Sequence, residues 1–324
     1  HIVHFDTTYA VSRATLLFSD VSGVEAVQAN TRRPINLASR GKVIAKVNDV
    51  KALATNSFFN DPALPYQWHY INTGDYTFNS DFARAIAGCD VGCDEAWPLC
   101  TGDSSIIVAV MDEGVMYSHP DLDDNMWVNA DEDAADGDDH DGNGYVDDIH
   151  GWNFSEDDAY ITWQEVSDVG HGTHVAGVIA AVNNNGKGVC GIAGGSGHKD
   201  GVKIMSLQII DDGYSSLLSN ECRAFKYAAD NGAVIIQCSW GYNSWLANMI
   251  LGFTPGPKDT DEWTSLYPLE REAIDYFTHY AGSPNGVIEG GLAIFASGNE
   301  YSAAPAFPAG YEGCIAVSAV SADF

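Results

Sequence analysis

The sequence predicts an α/β fold in three layers, in which a mostly parallel sheet is covered by helices on both faces. Five apolar segments between residues 105 and 320 lack polar–apolar alternation, which is typical of strands buried on both faces. Segments with helical periodicity separate most of them, as in crossover-connected parallel sheets. Polar residues follow several of these strands, at the edge where such sheets bind their ligands.

The first part of the chain predicts a small strand–helix–strand piece. HIVHF forms the first strand, a helix capped within Asp6 to Thr8 follows and ends at Gly23, and VEAVQAN forms the second strand. So short a piece buries little surface by itself, so we expect it to dock on the rest of the chain. Residues 37–60 are expected to form a connector.

The main domain begins its regular pattern at Ser105. The predicted elements in chain order are strand SIIVAVMD, helix VAGVIAAV, strand VKIMSLQII, helix SLLSNECRAFKYAADNGA, strand VIIQCSW, helix LEREAIDYFTHYA, strand GLAIFASGN and strand CIAVSAV. The stretch 242–267 is rich in Pro, Gly and aromatic residues and predicts a long surface excursion near the carboxyl edge of the sheet.

Charge and hydropathy limit the function classes. The 324 residues include 45 acidic and 15 basic residues, for a net charge of −30. Such a charge repels nucleic-acid phosphates and is compatible with cation binding. No apolar run reaches the roughly 18 residues that a membrane-spanning helix needs. We therefore expect neither a nucleic-acid partner nor a membrane span.

Three polar residues are candidates for acid–base chemistry. Asp112 follows a buried strand directly, and a carboxylate there is costly unless it is paired. His171 begins a helix after the turn VGHG, and pairing with Asp112 would orient its imidazole. The Asn299 amide could donate to a developing oxyanion. Taken singly, Asp112 and Asn299 are also common turn formers, and His171 with His174 could bind a metal.

The combined motifs favour the catalytic interpretation. VAVMDEGVMYSHPDL, HGTHVAG, SWG and ASGN, in this order, strongly resemble the subtilase family of subtilisin-like serine peptidases, from about residue 57 to the end of the chain. The resemblance implies a subtilisin-like fold and hydrolysis of peptide bonds in polypeptide substrates. It implies that Asp112 orients the base, that His171 is the base and that Asn299 is the oxyanion donor. His174 is then expected to be a structural residue of the core.

The resemblance also assigns residues to substrate binding. It implies that Ser239, Trp240 and Gly241 form the strand that pairs with an extended substrate backbone. It also implies that Ala296, Ser297 and Gly298 form the wall of the primary specificity pocket.

The chain departs from the family pattern at the nucleophile. The family places its serine in a Gly-Thr-Ser-Met-Ala-type motif after the strand that CIAVSAV resembles, and these 324 residues contain no such motif. We expect the chain to be a fragment whose serine lies beyond Phe324. The alternative is a calcium-stabilised, peptide-binding pseudo-peptidase without activity. A third alternative is a metalloenzyme that uses His171, His174 and Asp112, but the sequence lacks the two-His-plus-Glu helix pattern of zinc peptidases.

The resemblance divides the chain into two parts. Residues 1–56 resemble the second half of a subtilase propeptide with a connector, and residues 57–324 resemble a peptidase domain that is incomplete at its C-terminus. The family implies a secreted or cell-envelope protein whose own propeptide is a partner.

An acidic segment predicts a structural calcium site. The stretch from Asp139 to Gly144 fits the first six positions of a calcium loop, but His150 stands where the loop's bidentate Glu is usual. The alternative is a solvated acidic loop. The predicted ligands are Asp139, Asp141, Asn143, Tyr145, Asp147 and Asp148. Asp121 and the loop VNNNGKGV resemble a second calcium site of the family.

Overall fold

A computed structural model describes residues 28, 30–34, 36–37, 58–76, 85–132, 136–162, 170–210, 215–243, 256–282, 288–300 and 302–323. The first strand and the helix predicted in the N-terminal part, most of the second strand VEAVQAN, and residues 244–255 of the excursion lie outside this set. None of the helices in these ranges has the length and apolar character that crossing a bilayer requires.

A parallel six-stranded sheet forms the centre of the domain, in the order β10-β9-β7-β3-β5-β4. The strands of the described residues are β1 Arg32–Pro34, β2 Asn36–Leu37, β3 Ile107–Asp112, β4 Gly151–Asn153, β5 Lys203–Gln208, β6 Ser215–Leu217, β7 Ile235–Cys238, β8 Trp240–Gly241, β9 Leu292–Ala296 and β10 Cys314–Val317. The helices are α1 Cys93–Ala96, α2 His171–Ala180, α3 Leu218–Asp230, α4 Thr260–Leu266 and α5 Pro268–Tyr280.

Alternate residues of β3 pack into two cores on opposite faces of the sheet. Ile107, Ala109 and Met111 face the core that contains Phe225 of α3 and Phe277 of α5. Val108 and Val110 face the core that contains Ala176 and Ala180 of α2. The absence of polar–apolar alternation in this segment therefore reflects burial on both faces, which confirms the predicted three-layer α/β architecture.

The two ends of the sheet differ from its centre. The edge strand β4 was not predicted, because its three residues in GWN carry no apolar run. At the other end β10 is largely exposed, with Ile315 at 45% and Val317 at 52% exposure. Within the described residues, coverage of both faces is therefore complete around β3 and incomplete at β10.

A short segment from the N-terminal part of the chain pairs with the main domain. Strand β1 pairs antiparallel with β6, and β2 pairs antiparallel with β8, so that Leu37 lies opposite Trp240. The backbone N–H of Leu218 donates to the carbonyl of Thr31 at 3.3 Å, and that of Leu269 donates to the Gln28 side chain at 3.1 Å. These contacts involve residues 28, 31–34, 36 and 37, whereas the predicted docking of the strand–helix–strand piece lies outside the described residues.

Candidate active site

Asp112 and His171 meet at the carboxyl end of β3. The Nδ1 atom of His171 lies 2.8 Å from Oδ1 and 3.0 Å from Oδ2 of Asp112. Asp112 is fully buried and His171 is 3% exposed. Because both nearby atoms are carboxylate oxygens, Nδ1 carries the hydrogen and donates it, which leaves the lone pair of a neutral imidazole on Nε2.

The turn after β3 is joined to the first turn of α2 by backbone contacts. The N–H of His171 donates to Oε1 of the buried Glu113 at 2.5 Å, and the N–H of Met116 donates to Oγ1 of Thr173 at 2.9 Å. Gly172 sits so close that an added Cβ would meet the carbonyl oxygen of Gly114. The glycine in HGTH is therefore required by the close approach of the two segments that carry the acid and the base.

The residues predicted to pair with substrate lie beside this pair. Trp240 is fully buried, and its Nε1 donates to the carbonyl of Met111 at 2.9 Å, one residue before Asp112. Ser239 is 8% exposed, and its Oγ accepts from Gln237 at 3.1 Å. The edge of β8 is paired with Asn36 and Leu37, so it does bind an extended backbone in this structure.

The predicted pocket wall and oxyanion donor follow β9, two strands away from β3 in the sheet. The backbone of Ser297 is fixed on both sides, since its N–H donates to Val317 at 2.9 Å and its carbonyl accepts from Ala306 at 3.0 Å. Gly298 has a φ of +108°, a region that favours glycine. Asn299 is exposed, and its backbone N–H donates to the Glu300 carboxylate at 3.2 Å.

The location predicted for His174 is wrong. Its side chain is exposed, because the buried face of α2 is formed by Gly172, Ala176 and Ala180, which recur every four residues. Partial desolvation and the neighbouring His171 lower the pKa of His174.

The acidic segment brings together a different set of carboxylates from the one predicted. Oxygen atoms of Glu132, Asp139 and Asp141 lie within 4.8 Å of one another. Glu132 is 8% exposed and was missed by sequence reasoning, because it precedes the loop pattern. Its Oε1 accepts from the N–H of His140 at 2.9 Å, whereas its buried Oε2 has no hydrogen bond.

The two aspartates predicted to replace the twelfth-position Glu have other partners. Asp147 accepts from the N–H of Asp136 at 3.1 Å. Asp148 is fully buried, accepts from the Tyr227 hydroxyl at 2.5 Å and from the Asn129 amide at 2.8 Å, and burial raises its pKa. Asp148 is thus held by Tyr227 and Asn129 in this structure, and its role as a calcium ligand stays a prediction.

The remaining predicted ligands also have partners within the protein. The Asn143 amide donates to Asp141 at 2.9 Å and to Asp148 at 3.0 Å, and its Oδ1 accepts from the N–H of Tyr145 at 2.7 Å. The Tyr145 ring packs edge-on against Tyr227, with 4.9 Å between ring centroids.

Asp121 contacts the loop that the sequence associated with it. Its Oδ1 accepts from the Asn185 amide at 2.8 Å, and its Oδ2 accepts from the N–H of Val189 at 2.9 Å. The predicted neighbourhood is thus present, with N–H donors from the loop on both carboxylate oxygens. Within the described residues, Asp121 does not belong to a group of three or more converging His, Cys, Asp or Glu side chains.

Comparisons with known proteins point to one family. A family model described as the subtilase family matches residues 103–323. The Thermophilic serine proteinase of Bacillus sp. (strain AK1) is 28% identical over 301 residues, which cover 92% of this chain and 58% of that protein. Halolysin of Haloferax mediterranei is 29% identical over 249 residues, covering 76% and 37%. The chain thus spans less than two thirds of the length of these relatives.

Solved structures support the fold. The crystal structure of the Aeromonas sobria serine protease in complex with its chaperone matches with a TM-score of 0.50 and 22% sequence identity. The match covers 74% of this chain and 32% of that chain. At this identity the match shows the shared architecture only.

Proposed function

Since the chain belongs to the subtilase family, we propose that the protein to which it belongs is a serine endopeptidase in which Asp112 and His171 are the acid and the base. The observation that carries the proposal is the buried contact of 2.8 Å between Asp112 and the Nδ1 atom of His171. The serine would come from outside these 324 residues, which contain no Gly-Thr-Ser motif.

The geometry supports a defined sequence of proton transfers. His171 Nε2 takes the serine hydroxyl proton as the oxygen attacks the substrate carbonyl carbon, and Asp112 stabilises the imidazolium that forms. The imidazolium then gives the proton to the leaving amine, and water hydrolyses the resulting ester by the same route in reverse. The Asn299 amide, at the same edge of the sheet, would donate to the oxyanion.

Substrate binding would use the edge that now holds the N-terminal segment. Pairing of Asn36 and Leu37 with β8 supports the assignment of Ser239, Trp240 and Gly241 to strand addition. Ala296, Ser297 and Gly298 would wall the pocket for the side chain before the cleaved bond. By the same evidence, residues 1–56 would act as a propeptide that covers the edge of β8 and the pocket beside it. A propeptide of this kind fits a secreted or cell-envelope protein.

The proposal is tested on the whole protein with a fluorophosphonate probe. We expect its intact mass to increase by one probe, and we expect His171→Ala to abolish both this increase and hydrolysis of a denatured protein substrate. A whole protein that takes up no probe and cleaves no peptide bond would contradict the proposal.

A second candidate function is peptide binding without hydrolysis. One observation favours it: β6 and β8 already bind extended backbone of the same chain. Under this alternative the whole protein would bind extended peptides, and Asp112→Asn would leave their affinity unchanged.

We also propose a structural calcium ion at Glu132, Asp139 and Asp141. All donors are carboxylate oxygens, which calcium prefers, and the buried Oε2 of Glu132 lacks a hydrogen bond. Calcium would neutralise three converging negative charges and hold residues 132–141 together. Asp121 is the weaker candidate, because no group of three converging His, Cys, Asp or Glu side chains in the described residues includes it.

Calcium titration of chelator-treated protein tests this site. Calcium at 100 times its dissociation constant should add about 2.7 kcal/mol to the free energy of unfolding. Glu132→Gln should weaken calcium binding, whereas Asp157→Asn, which changes an exposed carboxylate outside the group, should not. Equal stabilisation of the Glu132→Gln variant and the wild type would contradict the site.

A further inference from the structure

We propose that Glu113 is a positioning residue that holds the N-terminus of α2 and stabilises the positive charge of the His171 imidazolium. The proposal rests on the function proposed above, in which His171 is the base and gains a proton during the reaction. The negative charge of Glu113 would stabilise this protonated form. It goes beyond the Asp112–His171 pair, because it adds a second buried carboxylate to the same histidine.

The start of α2 lacks a capping side chain of its own. Gly170, with a φ of +69°, precedes the helix and has no side chain to accept from the first N–H groups, and the first turn contains no acidic residue. Exposed N–H groups and the helix dipole make this end electropositive. The base therefore begins a helix whose N-terminus needs an acceptor from elsewhere.

Glu113 supplies that acceptor from 58 residues away in sequence. Its Oε1 accepts from the N–H of His171 at 2.5 Å, and the residue is only 7% exposed. Its own N–H donates to Oδ1 of Asp112 at 2.9 Å, and this same carboxylate contacts the imidazole. Glu113 is thus linked to both members of the pair.

The charge of Glu113 acts in the same direction as that of Asp112. A buried negative group held at the backbone N–H of a histidine favours the protonated form of its imidazole. It also offsets the positive end of the helix dipole, which disfavours that form. His174, three residues along the helix, is a further ionisable neighbour of His171, and a positive charge on His174 would oppose protonation of His171. Removing the Glu113 charge should therefore make His171 harder to protonate.

Nuclear magnetic resonance of the 324-residue chain, with ¹⁵N-labelled histidine, measures this directly. The His171 signals are assigned by their loss in His171→Ala. We expect Glu113→Gln, which keeps an oxygen acceptor, to lower the pH midpoint of His171 titration by about 1 pH unit. Glu113→Ala should lower the midpoint as well and also lower the melting temperature, because the His171 N–H loses its acceptor.

Glu270→Gln is the matched control. Glu270 is also fully buried and accepts an N–H bond, from Trp263 at 2.7 Å, but it lies on α5. We expect the control to leave the His171 midpoint unchanged. A wild-type midpoint in Glu113→Gln, or an equal shift in Glu270→Gln, would overturn the proposal.

Kinetics of the whole protein add a readout that a merely structural role would not move. Glu113→Gln should shift the acid limb of the pH profile of kcat/KM to lower pH by the same amount as the midpoint. An unmoved limb would overturn the role in catalysis. A whole protein with no hydrolytic activity would refute the proposed function, while the resonance measurement on the chain would stand independently.

Discussion

The two halves of the candidate site are held in different ways. Asp112 and His171 lie beside β3, whose residues are all buried, and three contacts join their segments. Asn299 and the pocket wall follow β9, and the neighbouring β10 exposes Ile315 and Val317. The part that carries Asp112 and His171, called the base half, is thus positioned by packing within the described chain. The part that carries Asn299 and the predicted pocket wall, called the oxyanion half, lies beside the exposed strand β10.

This difference teaches where chemistry and stability are coupled. A change at the base half should affect both, because the same contacts position the imidazole and join β3 to α2. A change at the oxyanion half should affect catalysis and leave folding intact.

The largest effect is expected from removing the base. In the whole protein, His171→Ala should lower kcat by about a million-fold, because no other group takes the serine proton. His174→Ala is the control in the same helix and should stay within about tenfold of wild type, since its side chain is exposed. A comparable loss in both variants would show that the helix, rather than the base, had been disrupted.

Removing the oxyanion donor should have the next largest effect. Asn299→Ala should lower kcat by about 10²–10³-fold with KM little changed. Because Asn299 is exposed, the melting temperature of the 324-residue chain should not change. If Asn299→Ala melts early, the two halves are coupled and the comparison fails.

A single methyl group should test the close approach in the base half. Gly172→Ala should lower the free energy of unfolding by ~1–3 kcal/mol, because the new Cβ meets the Gly114 carbonyl oxygen and lies 3.1 Å from Asp112 Cβ. Gly177→Ala is the matched control. Nothing lies within 4 Å of its added Cβ, so the helix should gain about 0.5–1 kcal/mol. Chemical denaturation measures the free energy of unfolding of both variants. Changes of the same sign in Gly172→Ala and Gly177→Ala would contradict the close approach.

The smallest effect is expected at the open end of the sheet. In the 324-residue chain, Ile315→Ala should change the free energy of unfolding by less than about 0.5 kcal/mol, because the side chain is 45% exposed. Val110→Ala, in the fully buried strand, should lower it by about 1–3 kcal/mol. Similar costs at the two positions would show that β10 is packed as tightly as β3.

Sequence patterns predicted what depends on local order. The five apolar strands and the Asp112–His171 pair were found because continuous apolar runs and a compact motif carry their own signal. Strand β4 was missed because three residues are too few for a period, and its place comes from pairing with β5.

Contacts between distant segments that carry no family motif could not be predicted in this way. Glu132 was missed as a member of this carboxylate group because folding brings it to Asp139 and Asp141 from outside the loop pattern. Burial of Asp148 depends on Tyr227, which is 79 residues away. Glu113 carried no signal either, because the N–H that it accepts from belongs to a helix 58 residues further on.

The pairing of β1 with β6 and of β2 with β8 affects how well a free peptide can compete for these strand edges. A strand tethered to the same polypeptide competes at an effective concentration of about millimolar, whatever the protein concentration in solution. A free peptide at micromolar concentration would therefore be outcompeted even if it bound these edges equally well. After the connector is cut, the strand would compete only at its concentration in solution. Dilution would then favour its dissociation and leave the edges of β6 and β8 free to bind another peptide.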